Sequence, residues 1–256
     1  MLPLGIQLYS VRDFLQKDFY GSIKKVADIG YKGVEFAGFY DNDPKEVRKF
    51  LDDNGLVCHS SHDPFPTKDN VNMLIDRMSV LGGSHSISGV GPGDVDTEDK
   101  AKKTIERFAE AYELFKGSDI RFALHNHWWE FYYKVGDKCF FDALMEQVPG
   151  IESQLDVFWV TVGNADPIEV IKKHPDNVTL LHCKDGHFPQ PWNPGDNVSM
   201  CANGSGIVDL KNIIKTGEAN KAAWAIVEID SFDGNMWDAV ADSHKWLTEN
   251  GLAIGK

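Results

Sequence analysis

Arg121-Phe-Ala-Leu-His-Asn-His127 is a short β-rich run, and an apolar helical stretch around Phe141–Gln147 follows it. Ser153-Gln-Leu-Asp-Val-Phe-Trp159 repeats the pattern, with a helix over Pro167–Lys173 behind it. Val178-Thr-Leu-Leu-His-Cys-Lys184 does so again, before a helix that begins at Leu210–Ile214. Each run is bounded by turn residues and is short enough for a strand, while each following stretch has the 3.6-residue spacing of a helix. Strands alternating with helices in this way build parallel sheets.

The same beat extends in both directions. Upstream, the strand runs are Leu4–Ser10, Gly33–Gly38, Val57–His62 and His85–Val90. Helices follow each of them. One carries Ile23, Val26 and Ala27 on one face and stops at Gly30; one opens at Pro44 and closes at Asn54-Gly55. The third sets Val71, Leu74, Ile75 and Met78 at i, i+3, i+4, i+7, and the fourth runs from Thr97 to Phe115. Downstream, Ala225–Asp230 is an eighth strand, closed by Trp237–Leu247. Eight strand–helix units without a linker or a break in composition predict one closed α/β barrel, a (βα)8 TIM barrel with a parallel eight-stranded core, spanning residues 1–256 as a single domain. The alternative, an open doubly wound sheet, calls for a glycine-rich phosphate turn after strand one, where Ser10-Val-Arg-Asp-Phe14 has no glycine. One long irregular segment, Gly186–Gly206, follows strand seven on the face where barrel active sites lie.

Composition narrows the function classes. An apolar fraction of 42% with 25% charged residues is that of a water-soluble globular chain. The four cysteines, Cys58, Cys139, Cys183 and Cys201, form no C-x-x-C pair, which argues against a disulfide framework or a zinc ribbon. No leader-like run and no apolar stretch of 18 residues is visible, so the expected address is the cytoplasm and no membrane partner is expected. A net charge of −13 repels polyanions, so nucleic acid is not an expected partner, whereas a neutral sugar and a divalent cation are compatible with it.

In a barrel the C-terminal ends of the strands converge on one mouth. The acids and histidines at those ends are Glu35, His62, His125, His127, Glu130, Asp156, His182, Asp185, Glu228 and Asp230. A glutamate, aspartate, histidine, glutamate series drawn from strands five to eight suits a hard divalent ion that also accepts imidazole. Strand alternation puts His182 and Lys184 on one face and Cys183 on the other, and sets Ile226, Glu228 and Asp230 together. Asp156, flanked by Leu155 and Val157, is costly to bury unless a cation pairs with it. Glu35 reads equally well as a hydrogen-bonded interior acid.

These runs, in order, resemble the sugar phosphate isomerase/epimerase family, the xylose-isomerase-like TIM barrels. The residues that carry the resemblance are Gly5–Arg12, Gly30–Phe36, Leu124-His-Asn-His-Trp-Trp-Glu-Phe131, Gln154-Leu-Asp156, Leu181-His-Cys-Lys-Asp185, Gly204–Asp209 and Val227-Glu-Ile-Asp230. The resemblance implies one divalent metal ion, Mn²⁺ before Mg²⁺, Co²⁺ or Zn²⁺, held by Glu130, Asp156, His182 and Glu228. His125 or His127 is the substitute if Glu130 lies beyond reach. The activity implied is isomerisation or epimerisation of a small keto sugar or keto-glycoside through an enediolate. His127, Glu228, Glu130 and Lys184 are the catalytic candidates. Glu35, His62, His125, Trp129, Trp159 and Asp185 are candidates for binding substrate. Trp128, Trp129 and Trp159 are placed either to stack on a sugar face or to pack the rim. The expected partner is a small carbohydrate, with a homo-oligomer left open. Three rivals share the scaffold: a lyase of the inosose-dehydratase or keto-glycoside-eliminating kind, an abasic-site endonuclease, and a non-catalytic sugar-binding module. The charge of −13 opposes the endonuclease, and paired histidines after strand five oppose the binding module.

Overall fold

A computed structural model describes residues 1–256. Eight parallel strands close into a barrel: β1 (Leu2–Gln7), β2 (Gly33–Phe36), β3 (Val57–His62), β4 (His85–Ser88), β5 (Arg121–His125), β6 (Glu152–Asp156), β7 (Val178–Cys183) and β8 (Trp224–Val227). Each pairs with the next, and β1 closes the ring on β8 through Leu4↔Ala225, Gly5↔Ile226 and Ile6↔Val227. A short terminal strand, Ala253–Ile254, pairs with the start of β1 and was not anticipated from the sequence. No helix is long and apolar enough to cross a membrane.

Alternation sorts the two faces. Leu4, Ile6, Val34, Phe36, Leu155, Leu181 and Cys183 point outward into the layer between barrel and helices, and all are buried there. Inside, Ile87, Ala123, Leu180 and Ile226 form a small separate apolar plug. Below the plug, His59 stacks on Trp224 with centroids 4.5 Å apart. A Cβ on Gly5 would stand 2.5 Å from His59 Nε2, and one on Gly33 would stand 2.8 Å from the Trp224 ring. The floor can therefore close only with glycine at both positions.

Also on the floor, Glu152 accepts from Thr179 Oγ1 (2.5 Å) and pairs with His85 Nε2 (2.8 Å). Burial pushes its carboxyl up, but the hydrogen bonds and charge facing it outweigh burial and hold it below the usual range. A depressed folded pKa stabilises above the unfolded value near ~4.3 and is lost as pH falls through the folded one. Glu152→Gln should cost about 1–3 kcal/mol at pH 7. Thermal unfolding should show the gap to the native chain narrowing below about pH 4; a gap that does not change with pH would contradict this account.

Strand ends differ from the sequence reading where side chains take over the backbone hydrogen bonds. The run Ser153–Trp159 splits at Asp156, whose carboxylate accepts Trp159 N (3.0 Å) and caps a helix over Val157–Val162. β8 stops at Val227 because the next amides turn to side chains. Ile229 N donates to Ser10 Oγ (3.0 Å), and Asp230 N meets Met200 Sδ (3.2 Å). β1 ends at Gln7, whose side-chain Oε1 accepts Tyr9 N (3.0 Å). The segment Gly186–Gly206 is not wholly irregular: a hairpin of Asp185–His187 against Ser199–Cys201 opens just before it and runs into it.

Candidate active site

Above the apolar plug the interior turns polar. Glu35, fully buried, accepts hydrogen bonds from Gln7 Nε2, Ser60 Oγ and Gln154 Nε2. Two imidazoles also face it: His182 Nε2 at 2.8 Å and His62 Nε2 at 3.2 Å. Burial raises its pKa, but the two histidines overturn that and hold the carboxyl well below its ordinary value. Gln154 Oε1 is an acceptor, and both His62 Nε2 (2.6 Å) and His125 Nδ1 (3.1 Å) turn to it. His125 thus donates from Nδ1 and keeps Nε2 as its lone-pair nitrogen. Burial and the neighbouring imidazoles hold its pKa well down, so it is neutral.

His182 lies between two carboxylates, Glu228 Oε2 at 2.9 Å from Nδ1 and Glu35 beyond Nε2. Burial alone would discharge the ring; the two acids reverse this and raise its pKa to about 10. Lys184, 1% exposed, projects its ammonium among three acids. Asp156 Oδ2 is 2.9 Å away, Glu228 Oε2 2.8 Å, and the Asp230 oxygens 3.0 and 2.9 Å. Burial disfavours its charge, but these acids hold the ammonium well above its ordinary pKa. Asp156, lifted by burial to about 6 despite Lys184, is fixed by a reciprocal pair with Asn126: Asp156 N to Oδ1 at 2.9 Å and Asn126 Nδ2 to Asp156 O at 3.2 Å.

One donor atom each from His125, Asp156, His182 and Glu228 lies within 4.8 Å of all the others, and all four residues are buried. The set fits a divalent cation on its chemistry, two carboxylates and two imidazoles. Asp156 Oδ2 carries a second sign of fit. It is buried and, although the Lys184 ammonium is near, it accepts no aligned hydrogen bond. Glu130 is not in the group. The acid sits on a helical turn, Trp129–Tyr132, and its Oε2 turns back to accept His127 N at 2.8 Å. With Oε1 buried and unpartnered, burial raises its pKa to about 8. The strand-five donor brought to the cluster is His125, the substitute allowed for above.

A cavity of about 370 Å³ opens over these groups, walled by Tyr9, His62, His125, His127, Lys184, Glu228 and Asp230. His127 stacks on Trp129 (4.2 Å, 14°), and its buried Nδ1 has no partner. Burial and then Lys184 lower its pKa to about 3, so the ring is neutral. Trp129 stands behind it and donates to Val90 O (3.0 Å). Trp128 packs on Trp192 (4.8 Å), which Asn164 anchors through two hydrogen bonds. Trp159 lies below the Lys184 ammonium, 5.6 Å from ring to nitrogen, with its indole N–H buried and unpaired. None of the three tryptophans lines the cavity. The aromatic ring that does is Tyr9, which the sequence reading passed over; its position just past the end of strand one was the available signal.

Asp185, expected to bind substrate, does something else. Its two oxygens accept four backbone amides, those of Gly186, Gly204, Gly206 and Val208, at 2.9 to 3.1 Å. It organises the loop and has no free lone pair to present to the pocket.

Residues 23–250 match the model of the xylose isomerase-like TIM barrel family, and the chain belongs to that family. A sugar phosphate isomerase/epimerase from Parabacteroides distasonis superposes with a TM-score of 0.79 at 25% identity, covering 99% of this chain and 100% of that one. The probable 3-DHS dehydratase AsbF from Bacillus anthracis gives 0.75 at 16% identity, with 96% and 99% covered. The IolI protein, solved with a zinc atom bound, gives 0.72 at 12% identity, with 97% of each chain covered. At such identities the last two share the fold and carry no more than that. No curated protein matches the chain.

Proposed function

We propose that this chain is a divalent-cation-dependent isomerase or epimerase acting on an uncharged keto sugar or keto-glycoside through an enediolate. The observation that carries the reading is the buried His125–Asp156–His182–Glu228 cluster directly beneath a cavity lined by His127 and Lys184. These four residues would hold the cation. When bound, it supplies Lewis-acid polarisation of a substrate carbonyl.

The chain's own groups account for the rest. Lys184, held charged by its acids, stabilises negative charge developing on the substrate oxygen without giving up its proton. His127 lines the cavity as a neutral ring and is the proposed acceptor of the proton from carbon, through the ring nitrogen that faces the cavity and not the buried Nδ1. Glu228 faces the same cavity as the opposing group. Glu35, Asp156, Glu228 and Asp230 outnumber the positive groups they face, so the pocket is negative without a cation, and it stays weakly negative with one because His182 must give up its ring proton to ligate. Such a site favours an uncharged substrate over a phosphorylated one.

The test is proton exchange. Incubated with Mn²⁺ and a panel of keto sugars in deuterated water, the protein should place deuterium on the carbon beside the carbonyl, read by NMR. His127→Ala should slow exchange by roughly 10²–10⁴-fold. An eliminated product in place of a deuterated isomer would make the protein a lyase, because the same enediolate can expel a neighbouring leaving group. Exchange at the native rate in His127→Ala would remove His127 from its role.

A further inference from the structure

Three acids surround the Lys184 ammonium, and they are not equivalent. Asp156 and Glu228 belong to the buried cluster, with side chains 0% and 6% exposed. Asp230 lies outside that cluster, is 29% exposed and lines the cavity. Its backbone is tied down at both ends. Arg12 Nη2 donates to Asp230 O (3.0 Å) and Nη1 to Tyr9 O (2.9 Å), with the guanidinium 4.0 Å over the Tyr9 ring. At its other end, Asp230 N meets Met200 Sδ (3.2 Å). Lys184 Nζ then fixes the carboxylate itself, 3.0 and 2.9 Å from its two oxygens. The group is an acceptor with little freedom to turn away from the cavity.

Its lone pairs decide what the group can still do. A carboxylate offers about four acceptor sites, two on each oxygen. Asp185 spends its own on four backbone amides. Asp230 spends its own on Lys184 alone: no amide, hydroxyl or second side chain donates to either oxygen. Both oxygens thus keep acceptor capacity where the side chain is exposed to the cavity. A group that uses it must donate twice, from neighbouring atoms. An anion is repelled. A second cation would sit beside the Lys184 ammonium, whose charge opposes it. Two neutral donors on adjacent carbons meet the requirement, and these are the hydroxyls of a vicinal diol.

We propose that Asp230 is a specificity-determining residue whose carboxylate accepts both hydroxyls of a vicinal diol on the substrate. The proposal rests on reading the cavity as a sugar site. Asp230 is separated by the Lys184 ammonium from Asp156 and Glu228, the two acids that would hold the cation. The diol therefore belongs to the part of the sugar remote from the carbonyl. A sugar that lacks either hydroxyl leaves one oxygen of a charged, half-desolvated group without its donor, and is disfavoured for that reason.

Binding to the Mn²⁺-loaded full chain tests it, by comparing hydroxyl present or absent against carboxylate present or absent. Titration calorimetry takes the D-2-ketohexoses (fructose, psicose, tagatose and sorbose), then the 4-deoxy and 5-deoxy analogues of any that bind. Every vicinal pair on C3 to C6 includes C4 or C5. On the native chain at least one deoxy analogue should bind about tenfold or more weakly than its parent, the worth of a hydrogen bond to a charged group. On Asp230→Ala the ratio of the two should fall close to one. Asp230→Asn keeps the shape and one acceptor oxygen, so it should lower the ratio part-way, and it carries the test if Asp230→Ala folds poorly. Lys184 keeps Asp156 and Glu228 in both variants. A ratio near one on the native chain, or a tenfold ratio that persists in both variants, would overturn the assignment and leave the sugar reading standing. If none of these ketoses binds the native chain, the free keto sugar falls as substrate and the diol assignment falls with it.

Discussion

Lys184→Met should lower the stability of the cation-free protein by about 3–5 kcal/mol, the cost of stripping a buried charge of its partner. For a chain of this size that is a fall in Tm on the order of 10 °C. The ammonium lies within 3.0 Å of Asp156, Glu228 and Asp230 together, whereas the His182 imidazolium reaches only Glu228 among them, at 2.9 Å, and methionine fills much of its volume without its charge. Like charges then face each other in a site closed to water, and protons or a cation must replace what was removed. Added Mn²⁺ should therefore restore more stability to the variant than to the native chain. A ligand present at about 100 times its Kd contributes about 2.7 kcal/mol. Melting curves in chelator and in Mn²⁺ check both parts. A variant as stable as the native chain in chelator would mean that the three acids are not ionised together around Lys184, and the charge reasoning behind the site would fail with it.

The barrel could be read from the chain because its cause is local. Eight alternations between a two-residue and a 3.6-residue period can be seen one segment at a time, and the closed sheet follows from their number. The inward facing of Asp156, His182, Lys184 and Glu228 is equally local, since alternation along a strand places each one. What could not be read depends on partners far away in sequence. Asp185 looked free because the amides that claim it belong to residues 186–208, in a loop with no period. Glu130 looked like a ligand by residue type. Its reach depends on a helical turn that begins at Trp129, three residues past the end of β5, and folds the acid back on His127 N. The Gln7 and Gln154 side chains that orient Glu35 and His125 carry no charge and were assigned no role, though they share the inward face with the acids they serve. Chemistry at a strand end is visible in sequence when the residue acts where its own strand points it. It is hidden when the residue acts on a backbone that arrives from elsewhere.

Asp156→Asn should separate the cation-binding role of this residue from its role in the fold. The native side chain uses one oxygen, Oδ1, to cap the helix over Val157–Val162, and turns the other, Oδ2, to the buried cluster without an aligned hydrogen bond. Asparagine keeps an oxygen for the cap, loses the charge and puts an amide nitrogen, which cannot ligate a cation, where Oδ2 stood. Altering a residue behind a metal ligand costs 10–100-fold in affinity, so losing a ligand should weaken Mn²⁺ binding by at least about 100-fold. Stability without the cation should change little, because the variant also removes one of three acids crowded around Lys184. Asp156→Ala should show the same loss of Mn²⁺ binding and, beyond it, about 1 kcal/mol from the missing cap. Titration calorimetry with Mn²⁺ on the native chain and both variants, alongside their melting curves in chelator, gives the two numbers independently. If Asp156→Asn bound Mn²⁺ as tightly as the native chain, the cation would lie elsewhere and the proposed chemistry would lose its centre. If Asn and Ala fell equally in stability, Oδ1 would not be a cap, and the helical turn that ends β6 would need another cause.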